Sequence, residues 1–436
     1  MAAAKASTAP NDEPSPLWAW DELPPGRFVG GNQARLLRGG DELFPAMCEA
    51  IAAARSQVWL ATYIFELDAA GRLLCDALSA VAQRGVQVCV VVDGFGARLS
   101  LPALRERLGP AVTVDVFRSL NRWWSWLQPQ HLRRLHQKLC AVDDAVAFVG
   151  GINILDDRHD LVHGNLALPR LDFAVELRGP VAPLVQRMVH ALSVRARFGR
   201  AWRQQVRQLA RSERPVASTV RLLRGMRGAP PSGALPDDTL GSQLPPVPVA
   251  FVVRDNLRQR RAIERQYIAA MRRARRRIDI TCPYFYPGRA FLRTLRAAAK
   301  RGVQVRLLLQ GMADYRLAAM AAQVLYDDLL LRGVQIHEYT PSFLHAKVAL
   351  VDDDWATVGS SNIDPLSLLL NLEANVVVRD AAFSAQLGAA FDDAVAQSRQ
   401  VLPSARRAGW RHWATRNFVA WCSTVYLRLA GIDKRY

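Results

Sequence analysis

The chain repeats itself, and that repeat limits what it can fold into. Residues 48–94 read CEAIAAARSQVWLATYIFELDAAGRLLCDALSAVAQRGVQVCVVVDG, and residues 267–311 read YIAAMRRARRRIDITCPYFYPGRAFLRTLRAAAKRGVQVRLLLQG. Each copy is a helical pattern, an apolar strand, a second helical pattern, then Arg-Gly-Val-Gln-Val opening another strand. The pentapeptide stands at 84–88 and again at 301–305, an offset of 217 residues. Helical patterns alternating with short Val/Leu/Ile runs predict an α/β chain, and a unit written twice predicts two related lobes. Gly85 and Gly302 fall where a helix must stop before a strand.

A second pair of segments repeats at nearly the same spacing. LHQKLCAVDDAVAFVGGIN covers 135–153, and LHAKVALVDDDWATVGSSNID covers 344–364. Both follow H-x-K-x-x-x-x-D, with Gly-Gly or Gly-Ser and an Asn at matching later positions, offset by 209 residues. Two of only eight histidines fall in this frame. The apolar surroundings predict strands, on which i and i+2 share a face. His136 and Lys138 then project together, as do His345 and Lys347. Asp143 and Asp352 complete the two sets but sit at an odd offset, facing away or in the following turn, where they would hold the site. Gly150-Gly151 and Gly359-Ser360 would let backbone approach a ligand closely. Asn153, Ser360 and Asn362 are candidate donors to phosphate oxygens.

Two imidazoles and two ammonium groups suit a phosphodiester. One neutral histidine can attack phosphorus, and the other, protonated, can supply the leaving alcohol's proton. The lysines can neutralise the non-bridging oxygens, so no metal or other cofactor is expected. His159 and His163 have zinc-helix spacing, but no third ligand is evident and Gly164 follows at once, so they are expected in a loop.

The net charge of +18 favours a polyanionic partner, either nucleic acid or an anionic membrane surface. The six cysteines, at 48, 75, 89, 140, 282 and 422, show no paired spacing; buried thiols in a reducing compartment are expected. No basic-then-apolar leader and no apolar run of membrane-spanning length is evident. The segment 118–135 interleaves Trp123, Trp124 and Trp126 with arginines, and residues 403–436 mix six large apolar or aromatic side chains with arginines. Both suit a membrane interface, although basic-aromatic segments also bind single-stranded nucleic acid. The expected order is an extension over 1–28, a first lobe over 29–200, a basic helix and Pro/Gly linker over 201–248, a second lobe over 249–400, and a membrane-associating tail over 401–436.

The paired motifs resemble those of the phospholipase D superfamily. FLHAKVALVDDDWATVGSSNIDPLSLLLNLEANVVV, 343–378, closely resembles the bacterial cardiolipin synthases, in particular the short B-type without N-terminal membrane helices. Arg-Asp-Asn at 254–256, Pro-Tyr-Phe at 283–285 and Val-Val-Asp-Gly at 91–94 fit the same family, and the resemblance runs from about Val29 to Ser398. It implies a pseudo-twofold pair of lobes, each a mixed sheet flanked by helices, with one shared active site. It also implies metal-free transfer of a phosphatidyl group between alcohols, from one phosphatidylglycerol to another, giving cardiolipin and glycerol. On this resemblance His136 is the nucleophile and His345 the acid, and Asp172 and Glu373 each orient the histidine of their own half. The partners implied are phosphatidylglycerol, cardiolipin and the cytoplasmic side of the inner membrane, with no nucleic acid. A hydrolase with the same residues, a nuclease of the superfamily and a catalytically silent lipid-binding protein are the rivals.

Overall fold

The computed structural model describes residues 26–118, 133–160, 164–210, 246–255, 259–312, 326–364 and 371–402, with 198–210 as backbone. The first lobe runs β1 (Val29–Arg38), α1 (Gly39–Ala52), β2 (Gln57–Thr62), α2 (Ala69–Gln83), β3 (Gln87–Asp93), α3 (Leu101–Leu108), β4 (Val112–Phe117) and β5 (Arg134–Leu135). It continues through β6 (Leu139–Val142), β7 (Val146–Gly150), a small β8 (His159–Asp160) and β9 (Gly164–Asn165) hairpin, β10 (Phe173–Arg178) and α4 (Ala182–Ala210). The second runs β11 (Val247–Arg254), α5 (Ala262–Arg273), β12 (Arg277–Cys282), α6 (Arg289–Lys300), β13 (Gln304–Gln310), β14 (Gln335–Tyr339), β15 (Val348–Val351), β16 (Trp355–Gly359), β17 (Asn371–Val378), α7 (Ala381–Ala396) and β18 (Ser398–Val401).

The strand order has an internal symmetry. From its centre outward the first lobe reads β1-β10-β7-β6-β2-β3-β4, and the second reads β11-β17-β16-β15-β12-β13-β14-β18. In each, three parallel strands adjoin antiparallel ones, β2-β3-β4 beside β6 and β12-β13-β14 beside β15. The Arg-Gly-Val-Gln-Val repeats do the same work in both lobes. Gly85 and Gly302 take φ of 90° and 86° after α2 and α6, a left-handed conformation that costs glycine little.

The lobes are joined at the centre of the sheet as well as at the site. β1 pairs β11 at Val29↔Val249 and Asn32↔Val247. Asn32 is fully buried; its amide donates to Val29 O and its carbonyl accepts from Val181 N. One apolar core also crosses the boundary, with Leu135, Leu139 and Val175 packed alongside Leu344, Leu372 and Val376. Separating the lobes would expose this shared core to water, at about 25 cal/mol per Å² of apolar area.

Two expectations need correction. No break occurs at residue 200: α4 runs on to Ala210, and β11 begins at Val247. The histidine–lysine pairs precede their strands, because β6 starts at Leu139 and β15 at Val348. Residues 1–25, 119–132, 161–163, 211–245, 256–258 (with Asn256), 313–325, 365–370 and 403–436 lie outside the described residues. The Trp-rich segment proper, His163, most of the linker, the basic-aromatic tail and Cys422 are therefore outside them. Cys75, Cys89, Cys140 and Cys282 are buried free thiols, and Cys48 is half-buried and free.

Candidate active site

Each histidine is held by the backbone of the opposite lobe. β5 pairs β17, Leu135 opposite Leu372, and His136 N donates to Leu372 O at 3.0 Å. On the other side Leu171 N donates to Phe343 O, and His345 N donates to Leu171 O, both at 2.9 Å. Asp93 pins the approach to His136: its buried carboxylate accepts from Leu135 N at 2.8 Å and from Phe95 N and Gly96 N.

The side chains exchange in the same way. His136 Nδ1 lies 3.0 Å from Glu373 Oε2, and His345 Nδ1 lies 2.6 Å from Asp172 Oδ2. The expectation that each carboxylate orients the histidine of its own half is therefore corrected. The cross-lobe core places the start of β17 beside β5 and the residue before β10 beside the approach to β15. With Nδ1 engaged by a carboxylate, Nε2 is the nitrogen left to meet a substrate.

Burial dominates the electrostatics. It pushes both imidazoles below their ordinary pKa, His345 to about 3 with the charge of Lys347 adding to the effect. Burial thus favours the neutral form of both in the site without an anion. Lys138 is brought down to about 7 by burial, against the pull of Glu373 and with the repulsion of Lys347. Burial likewise lowers Lys347. Burial would raise the carboxyls, but their partners outweigh it. His136, Arg254 and Lys138 bring Glu373 to about 2, and His345 with Lys347 brings Asp172 below the carboxylate range. Lys138 Nζ donates to His136 O at 2.8 Å, and Lys347 Nζ donates to His345 O. Both ammonium groups are buried beside the histidines, where a bound phosphodiester would repay their desolvation.

The remaining members of the motifs do other work. Asp143 and Asp352, grouped with the catalytic sets by their spacing, sit in the turns that follow β6 and β15, with φ of 53° and 51°. Asp143 accepts from Arg55, Ser56 and Gln57 N and from Ser56 Oγ. Asp352 accepts from Arg275, Arg276 and Arg277 N. Each ties the start of a strand, β2 or β12, to the far end of the motif strand, away from the imidazole. Ser360 is fully buried, and its hydroxyl donates to Glu373 Oε2 rather than facing a ligand. Asn153 accepts from Ile64 N at 3.3 Å, which leaves its amide nitrogen as the donor end. Asn362, half-buried, lies with its carbonyl 3.9 Å from Cys282 Sγ. The glycines make room for protein rather than ligand. A Cβ on Gly151 would stand 2.3 Å from Asp172 Oδ1, and one on Gly359 2.4 Å from Asn375.

Several neighbours escaped the motif. The Tyr63 ring lies 5.3 Å from that of His136, and Lys138 Nζ sits over it. Gln137 donates to Glu373 O at 3.1 Å. Arg254, only 1% exposed, reaches Glu373 Oε1 at 3.5 Å. Their signal was present in Tyr63-Ile64-Phe65 and Tyr284-Phe285-Tyr286, which follow β2 and β12, and in Arg-Asp-Asn, but no spacing rule ties them to a histidine. His159 bonds Asn165 in the small hairpin. Among the described residues no group of three His, Cys, Asp or Glu side chains is placed to hold a metal.

Known proteins similar to this chain point to one family. The sequence profile described as cardiolipin synthase, PLD-like domain, matches twice, over residues 47–168 and 267–395. The chain is 36% identical over 386 residues to cardiolipin synthase B of Salmonella typhimurium, covering 87% of this chain and 85% of that protein. It is 34% identical to cardiolipin synthase B of Escherichia coli K12, covering 92% and 93%. Against cardiolipin synthase A of Pseudomonas putida GB-1 the identity is 30%, covering 86% and 70%. The fold is similar to a crystal structure of phosphatidylserine synthase from Haemophilus influenzae Rd KW20, with a TM-score of 0.59 at 14% identity over 95% of this chain and 98% of that one.

Proposed function

The chain belongs to the cardiolipin synthase family with phospholipase D-like domains, and from that premise we propose that it joins two phosphatidylglycerol molecules through a covalent phosphohistidine. Members of this family are phosphatidyltransferases. One observation carries the proposal: the exchanged His136–Glu373 and His345–Asp172 pairs put two imidazoles and two buried ammonium groups in one site.

The steps follow from those groups. Lys138 and Lys347 take the non-bridging oxygens of the donor phosphodiester. The Nε2 lone pair of His136 forms an N–P bond as the bond from phosphorus to the glycerol oxygen breaks. That oxygen takes the Nε2 proton of His345, which this imidazole picks up from solvent when the anionic phosphodiester offsets the lysines, and glycerol leaves. The hydroxyl of a second phosphatidylglycerol then gives its proton to His345 and attacks phosphorus, and the N–P bond breaks. The product is cardiolipin, and His136 is again neutral. Asn153 and Asn362 would bind phosphate oxygens, while Asp143 and Asp352 support the strands.

The partner in this reading is an anionic membrane rather than nucleic acid. Exposed Phe95, Leu99, Leu168, Tyr284 and Met312 lie in the loops at the catalytic ends of the strands. Phe95 and Met312 hold equivalent places in the two repeats, two residues past β3 and β13. Arg98 and Arg134 stand over the Phe95 ring, at 5.9 and 5.0 Å. Apolar tips flanked by arginine suit the headgroup layer. No described helix is long and apolar enough to cross a membrane. We place the protein peripherally on the cytoplasmic side of the inner membrane.

The test is to incubate the purified protein with phosphatidylglycerol vesicles and separately with single-stranded DNA, chelator present. Cardiolipin plus glycerol is expected. Phosphatidic acid alone would make it a hydrolase, and cleavage of DNA alone would sink the proposal.

A further inference from the structure

The two histidine–carboxylate pairs are alike in topology but not in charge. Glu373 has two further partners: Arg254, opposite it on β11, whose Nη2 lies 3.5 Å from Oε1, and Ser360 Oγ on Oε2. The equivalent places around Asp172 carry no side chain. Gly39, whose N donates to Asp172 O at 3.0 Å, stands where Arg254 stands, and Gly151 stands where Ser360 stands. Besides His345, the charged neighbours of Asp172 are Lys347 and another carboxyl, the buried Asp157, which burial raises to about 6, with the charge of Asp172 adding to the shift and that of Arg170 opposing it.

We infer that Arg254 is a positioning residue that breaks the pseudo-twofold symmetry and assigns the chemical roles, keeping His136 the nucleophile and leaving His345 the proton carrier. The inference rests on the phosphohistidine reading above. The charge of Glu373 is divided among His136, Arg254 and Ser360, so it stabilises an imidazolium at His136 less. The charge of Asp172 has no fixed cation opposite it on β1 and is directed at His345. The lysines act most on the histidine of their own motif, and in the empty site Lys347 outweighs Asp172 at His345 whereas Glu373 outweighs Lys138 at His136, with Arg170 acting on Lys347. Lys138 and Lys347 lower both imidazoles, Tyr63 lies against His136, and Asp93 and Asp172 act on Lys138. Arg254 also faces Glu264 and donates to Ser361 Oγ at 3.1 Å. In the empty site burial favours the neutral form of both imidazoles. When a phosphodiester offsets the lysines, one imidazole can hold a proton, and this asymmetry decides which.

The experiment measures kcat/KM against pH, which reports free-enzyme ionisations, for the full-length protein and for Arg254→Gln, Arg254→Lys and Ser360→Ala. Product is counted as total phosphatidyl transfer, to alcohol or to water. The nucleophile must be neutral, so unloading Glu373 makes His136 more basic. In Arg254→Gln the acidic limb should move up by about one pH unit. Ser360→Ala should move it the same way by less, and Arg254→Lys should restore it. A rate loss with the limb unmoved in both Arg254→Gln and Ser360→Ala would make Arg254 merely structural and overturn the inference. Acid-quenched wild-type protein should carry the phosphatidyl adduct on the peptide containing His136. An adduct on the peptide containing His345 would overturn it independently. If wild type forms phosphatidic acid but no cardiolipin, the acceptor assignment fails while both tests of Arg254 stand.

Discussion

Glu373 follows His136 by 237 residues, yet its carboxylate lies 3.0 Å from the histidine's Nδ1. The reciprocal contact, Asp172 to His345, spans 173 residues at 2.6 Å. Each lobe therefore completes the other's histidine. Replacing Glu373 by Gln or Asp172 by Asn keeps the shape and removes the charge that fixes the tautomer. Each should lower kcat by about a hundred- to ten-thousand-fold, with little change in vesicle binding. Wild-type turnover in either variant would show that the pairs do not serve the reaction.

His136→Ala and His345→Ala should each abolish turnover, because one site uses both. Their mixture should stay inactive as long as the chains remain monomers. Chelator should leave the wild-type rate unchanged. Loss of activity restored by a divalent cation would refute the lysine-only reading of charge neutralisation.

Lys138 gives a signed pH prediction. Its folded-state pKa, about 7, lies below the ordinary lysine value of 10.5. Between those values the unfolded chain binds more protons, so stability should rise with pH across the window and fall as pH drops through 7. Phosphate binding needs the charged ammonium, so kcat/KM should fall across the same window. Denaturant melts of Lys138→Met at pH 7 and pH 10 should show a smaller rise than wild type. An identical rise would mean Lys138 is not the group responsible.

Asp143→Ala and Asp352→Ala should destabilise rather than inactivate. Each carboxylate accepts several backbone N–H bonds at a partly exposed strand entry, so each loss should cost roughly 1–2 kcal/mol. kcat per folded molecule should stay within about threefold of wild type at a temperature well below the melt. A thousandfold fall in the folded protein would restore these residues to the reacting set.

Leu99→Ser combined with Met312→Ser should weaken flotation with phosphatidylglycerol vesicles while sparing turnover of a short-chain, monomerically dispersed substrate. Leu331→Ser with Leu402→Ser removes side chains at least as exposed, outside the catalytic-end loops, and should leave flotation unchanged. Equal flotation of both double variants and wild type would remove these loops from the membrane contact.

Much was legible because the signals are local. The repeated Arg-Gly-Val-Gln-Val marked helix end, turn and strand start in both lobes, since chain reversal there depends on a glycine whose neighbours are nearby in sequence. The H-x-K spacing named the imidazoles and ammonium groups, since residues two apart in extended chain share a side. The same local reasoning misplaced Ser360 and the glycines, whose partners come from strands far away in sequence, although it put Asp143 correctly in the turn after the motif. It also drew a lobe boundary at 200 inside α4, where composition changes but the helix continues.

The sequence by itself determined that the chain is doubled, α/β and equipped with two sets of phosphodiester chemistry. These follow from pattern and residue type, which need no knowledge of what lies across the sheet. Only the tertiary structure decided which carboxylate serves which histidine, and that Arg254 burdens one pair and not the other. Those assignments arise where β5 meets β17 and Leu171 meets Phe343, in a core shared by both lobes. Side chains brought together by burying a common apolar surface carry no sequence spacing that reveals their partner.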